Sequence, residues 1–129
     1  MENKNIQIGD IVTAIYKTGK YIGEVTGERE STYLVKILAV LKHPIQGDLH
    51  NPKQTDVAMF HTRRALAYCE QTNVPKNMVK SYVNEIPDYI HSLQTALETM
   101  KQELEHDERA WSKKSLEAIQ ELENDYFPQ

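Results

Sequence analysis

Cysteine is almost absent from the 129 residues. The single Cys69 excludes an intramolecular disulfide and any zinc site built on several cysteines. Long apolar runs are absent too. The longest are Ile37–Leu41 and Ala65–Cys69, far short of the roughly 20 residues a membrane-spanning helix needs. The opening segment, MENKNIQIGD, has neither an apolar core nor a small-residue cleavage site, so no secretory signal is expected. Basic residues hold no majority: 15 Lys and Arg stand against 19 Asp and Glu, with a pI near 5.7. That balance, with the basic residues scattered, argues against a general nucleic-acid binder.

Glycine is scarce and one-sided. All five (Gly9, Gly19, Gly23, Gly27 and Gly47) precede residue 48, and from Glu85 to Phe127 there is none. Charge divides at about the same place. Residues 1–84 carry eleven Lys and Arg against eight Asp and Glu, a net of +3; residues 85–129 carry four against eleven, a net of −7. Two parts of different character are therefore expected, one at 1–80 and one at 85–127.

The first part has the pattern of short strands. Ile11–Tyr16 and Tyr21–Thr26 flank Lys17-Thr18-Gly19-Lys20, a turn in which Gly19 is the residue expected to take a positive φ. Tyr33–Lys42 alternates, with Tyr33, Val35, Ile37, Ala39 and Leu41 on one face. Val57–His61 and Ala65–Glu70 are shorter candidates, and Val74–Met78 suits a 3₁₀ turn. Five strands joined by tight turns predict a small curled antiparallel sheet or barrel. A long loop, 42–56, with two prolines and two histidines, interrupts it.

The second part has the spacing of helices. Ile86, Ile90, Leu93, Leu97, Met100 and Leu104 form one stripe, with Pro87 suited to the first turn. Asp107 is the expected N-cap of a second helix whose stripe is Trp111, Ser115, Ala118 and Leu122, widened by Leu116, Ile119 and Tyr126, and which Pro128 ends. An antiparallel helix pair packed on the barrel is the simplest arrangement. A stripe left uncovered would favour a homodimer.

Several constellations could carry chemistry. His43, Asp48, His50, Asp56 and His61 lie within nineteen positions and offer imidazole and carboxylate ligands, but their spacing matches no short metal motif. Proline-flanked histidines more often fix a loop through backbone hydrogen bonds. Thr18-Gly19-Lys20 fails as a P-loop because Ala14 and Tyr21 stand where a glycine and a Ser or Thr are required. Cys69 has no evident partner to lower its pKa. His91 and His106 lie on the helical part, but a phosphotransfer histidine usually needs a four-helix bundle. Tyr16, Tyr21 and Tyr33 fall on adjacent strands and could hold an extended peptide, together with His43 and His50 of the loop, or could fill the core. Lys17, Lys20 and Lys36 would be the residues of an RNA-binding barrel.

The stretch from Gly9 to Val25, the segment Leu38–Pro44, Gly47–Pro52, Met59-Phe60-His61, Glu70–Pro75 and the closing Asp125-Tyr126-Phe127, taken in order, closely resemble the kinase-associated protein B family of spore-forming bacilli. The resemblance implies an α+β fold: a small antiparallel SH3-like β-barrel followed by a C-terminal α-helical hairpin. It also implies a non-catalytic accessory protein that binds and activates a sensor histidine kinase feeding the sporulation phosphorelay, with no cofactor and no catalytic residue. A barrel binding a metal ion or small ligand at the histidine-rich loop, or RNA, is the alternative. Members of the family are also called lipoproteins, and lipid attachment needs an apolar signal ending at an N-terminal cysteine. Here Cys69 is mid-chain, so the expected location is the cytoplasm, at the inner membrane face through the partner.

Overall fold

The computed structural model describes residues 6–47, 62–107 and 109–128. Among the described residues five strands, β1 (Ile11–Tyr16), β2 (Gly19–Glu28), β3 (Thr32–Lys42), β4 (Gln71–Pro75) and β5 (Val79–Ser81), precede two helices, α1 (Tyr89–Glu105) and α2 (Ala110–Tyr126). The strands form one antiparallel sheet in the order β4-β3-β2-β1-β5. A 3₁₀ turn, Lys76–Met78, joins the two edge strands, so the sheet is curled and barrel-like. The chain is α+β, as expected. Among the described residues no helix is long and apolar enough to cross a membrane.

Alternation builds the sheet. Along β3, Tyr33, Val35, Ile37 and Ala39 are buried as their alternation requires, but Val40 is buried as well and Leu41, expected on the same inner face, is exposed, because a register shift falls between Val40 and Lys42. Three register shifts between β2 and β3 supply the curl, since an extra residue on one strand bends it and increases its twist. Gly23 stands at one of them. A Cβ there would lie 2.5 Å from Val35 Cγ1 and 2.6 Å from the Lys36 carbonyl oxygen, so only glycine lets the strands approach.

The β1–β2 hairpin corrects the sequence reading. Lys17 and Thr18, not Gly19, take positive φ, at 50° and 76°. Tyr16 pairs with Gly19 across this two-residue loop, which needs left-handed backbone at both central positions. Gly19 is required for space instead: a Cβ would meet the Tyr21 hydroxyl at 2.5 Å. The strained Thr18 is held by tertiary structure, because its Oγ1 accepts from the Ile45 amide at 3.0 Å.

Ala65–Glu70 is not a strand. Tyr68 and Cys69 form a turn, with Cys69 at φ 69°, and the strand begins at Gln71. Cys69 and Glu70 still exchange hydrogen bonds with Ile37, which extends the β3 edge by one step. The 3₁₀ turn starts at Lys76 because Val74 and Pro75 belong to β4, and β5 is a strand the sequence pattern did not mark. Val57–His61 lies outside the described residues.

The helices follow their stripes with shifted starts. Asp88 caps α1, its carboxylate accepting from His91 N at 3.1 Å, so Pro87 precedes the cap and is not in the first turn. Leu93, Leu97, Met100 and Leu104 enter the core, but Ile86 and Ile90 do not: they are 42% and 48% exposed. Arg109, not Asp107, occupies the N-cap of α2; the Asp107 carboxylate accepts from Arg109 N and pairs with its guanidinium. That partner holds the Asp107 carboxyl well below the usual carboxylate range. Trp111, Ala118, Ile119 and Leu122 are buried as their spacing requires, and Lys101 of α1 pairs with Glu123 of α2 at 3.1 Å. One apolar core runs from Val12 and Val35 of the sheet through Leu97 of α1 to Trp111 and Ile119 of α2.

Candidate functional site

The segment 62–67 is the point where sheet and both helices meet. It is irregular, and side chains take up backbone groups of Arg63, Ala65, Leu66 and Ala67. The Tyr126 hydroxyl of α2 accepts from Ala65 N at 2.8 Å, and the Tyr21 hydroxyl of β2 accepts from Leu66 N at 3.2 Å. The Tyr89 hydroxyl of α1 donates to Leu66 O at 2.6 Å. Three tyrosines from three elements therefore clasp two residues. Burial pushes the phenols of Tyr21 and Tyr89 up to about 12 and raises Tyr126 as well.

His43 completes the clasp. It is fully buried beyond the end of β3, with Nδ1 3.0 Å from Pro44 O and Nε2 3.0 Å from the Tyr126 hydroxyl. A carbonyl only accepts, so Nδ1 carries the proton and Nε2 accepts from Tyr126. Desolvation, aided by the nearby Arg64 charge, pushes the imidazole down to about 4 against the pull of the Pro44 carbonyl. The ring is neutral and both nitrogens are engaged, which is the loop-fixing role and leaves no lone pair for a metal.

Gln46 ties the two stems of the long loop. Its Oε1 accepts from Arg63 N at 2.9 Å, its Nε2 donates to Arg63 O and Pro44 O, and its own carbonyl accepts from Trp111 Nε1 at 3.1 Å. Arg63 Nε donates to Gly47 O. Asp48, His50, Asp56 and His61 lie outside the described residues. Among the described residues no three His, Cys, Asp or Glu side chains cluster as metal ligands would.

The aromatic candidates separate. Tyr21 and Tyr33 are buried, so their rings fill the core. Tyr16 is half-buried, with Lys17 Nζ 5.3 Å from its ring centroid. Lys36 faces Glu24 at 3.9 Å. Cys69 is exposed.

The surface feature that sequence reasoning missed is an apolar cleft of about 680 Å³ between the bulged part of β3 and the start of α1. Leu38, Tyr68, Ile86 and Ile90 line it, with Pro87, Asp88 and Tyr89. Tyr68 is 59% exposed and packs its ring 5.8 Å from that of Tyr89. A second hollow of about 440 Å³ shares Tyr89 and Ile90 with it, so the two adjoin. The signal was present in the spacing: Ile90, in the first turn of α1, and Ile86, just ahead of the Asp88 cap, stay exposed where Leu93 and Leu97 are buried.

A family model described as "Kinase associated protein B" matches residues 16–127. A Bacillus subtilis (strain 168) protein named "Kinase-associated lipoprotein B" is 54% identical over 121 residues, 94% of each chain. A crystal structure of kinase-associated protein B from Bacillus cereus aligns with a TM-score of 0.82 at 52% identity, covering 95% of this chain and 98% of that one.

Proposed function

The chain belongs to the kinase-associated protein B family, and from that premise we propose that it is a non-catalytic accessory protein that binds a sensor histidine kinase and activates it within the sporulation phosphorelay. The observation that carries this reading is the match to a protein named for its association with a kinase, over 94% of both chains. Its physical content is a population shift. The protein must bind the active conformation of the kinase more tightly than the inactive one, because equal affinity would shift nothing. The clasp at 62–67 supports this, since a chain whose sheet and helices share one core presents a rigid surface and loses little entropy on binding. The barrel of 1–80 and the hairpin of 85–127 act as one unit in this reading, in the cytoplasm or at the inner membrane face beside the kinase. The test is reconstitution: purified protein added to the cytoplasmic part of the kinase should raise the rate of autophosphorylation. An unchanged rate, with no complex on size exclusion, would refute it.

A further inference from the structure

We infer that the apolar groove around Ile86 and Ile90 is the docking surface, and that its occupant is an amphipathic segment of the partner carrying apolar anchors flanked by Lys or Arg. The inference deepens the kinase-binding reading and rests on it. Four apolar side chains, Leu38, Tyr68, Ile86 and Ile90, line the main cleft, and three of them are more than two-fifths exposed. Apolar stripes on helices are normally covered, and that of α1 is buried from Leu93 to Leu104 but exposed at Ile90 in the first turn, with Ile86 exposed two residues ahead of the Asp88 cap.

Charge decides between occupants. The charged groups lining the two adjoining hollows are Asp88, Glu70, Asp125 and Arg64. Arg64 and Asp125 pair with each other, so the lining keeps a net negative charge from Asp88, whose carboxylate caps α1, and Glu70, whose Oε1 accepts from Ala67 N. Glu85, one residue before Ile86, is exposed as well. A second copy bound across a two-fold axis through the groove would bring this acidic patch against the same acidic patch of its neighbour. A segment with basic flanks meets the acidic rim with opposite charge, which favours it in both orientation and encounter rate.

The probes are two synthetic amphipathic helical peptides with one Leu face, one flanked by Lys and one by Glu, together with the purified cytoplasmic part of the kinase. The Lys-flanked peptide should bind the native chain at least about tenfold more tightly than the Glu-flanked one. The double variant Ile86→Ser, Ile90→Ser should weaken both that peptide and the kinase by about tenfold or more, with an unchanged thermal midpoint. Equal binding of the two peptides, or binding of neither, overturns the inference, and it decides the matter on the native chain even if the double variant fails to fold. A folded double variant that binds the kinase as tightly as the native chain also overturns it while the kinase-binding reading stands. A native chain that binds the Lys-flanked peptide but not the kinase reverses that outcome. A dimer of the native chain that dissociates in the double variant gives the groove to a second copy, and overturns the inference too.

Discussion

Acid should destabilise this protein through His43 in particular. The folded imidazole titrates at about 4, against 6.5 for an ordinary histidine, because it is buried and neutral between Pro44 O and Tyr126. The unfolded chain therefore binds more protons than the folded one between those two values, and stability rises with pH across that window. The contribution is fully present above pH 6.5 and is lost progressively as the pH falls, the loss reaching about 3 kcal/mol by about pH 4 at about 1.4 kcal/mol per pH unit. Carboxylates also lose protective interactions in acid, so the clean comparison is between the native chain and His43→Gln. The variant should be less stable at neutral pH, because it loses the neutral hydrogen-bond bridge. Its deficit should shrink by about 3 kcal/mol on lowering the pH to about 4, since Gln does not titrate. Urea unfolding at a series of pH values measures both curves. Parallel curves would show that His43 is not held neutral, and would refute the account of the clasp.

Other consequences are as direct. Tyr126→Phe removes the hydroxyl shared by Ala65 N and His43 Nε2, and should cost about 2–4 kcal/mol in urea melts, because two buried polar groups lose their partner at once. Ser92→Ala removes the acceptor of the buried Val40 amide, 2.9 Å away, and should cost about 1–3 kcal/mol with faster hydrogen exchange at Val40. Gly23→Ala should lower stability by about 2–3 kcal/mol in thermal melts, since the added carbon collides with the backbone of Lys36, which cannot swing aside.

Much of this architecture was legible in the residues, and the misses share a cause. β1, β2 and β3 show themselves because alternation is local, and the helix stripes because their period is local. Ala65–Glu70 misleads because its apolar residues serve a segment whose hydrogen bonds come from Tyr89, Tyr21 and Tyr126, between 23 and 61 positions away. His43 is similar: its partner Tyr126 is 83 positions distant, so loop and ligand readings could not be separated without the fold. β5 has three residues, too few for a pattern. Asp107 has the chemistry of a cap, but its carboxylate turns to Arg109 and the helix starts two residues later than that chemistry suggests. The groove was half visible. The stripe named Ile86 and Ile90, yet only the fold shows which of its positions stay exposed.

The decisive measurement for the proposed activating role is the affinity of this protein for the cytoplasmic part of the kinase, with and without a nonhydrolysable ATP analogue chosen to favour the kinase's active arrangement. An activator must favour that arrangement, so binding should tighten with the analogue, and the kinase should in turn bind the analogue more tightly by the same factor. Identical affinities in the two states, or no binding in either, would contradict the account.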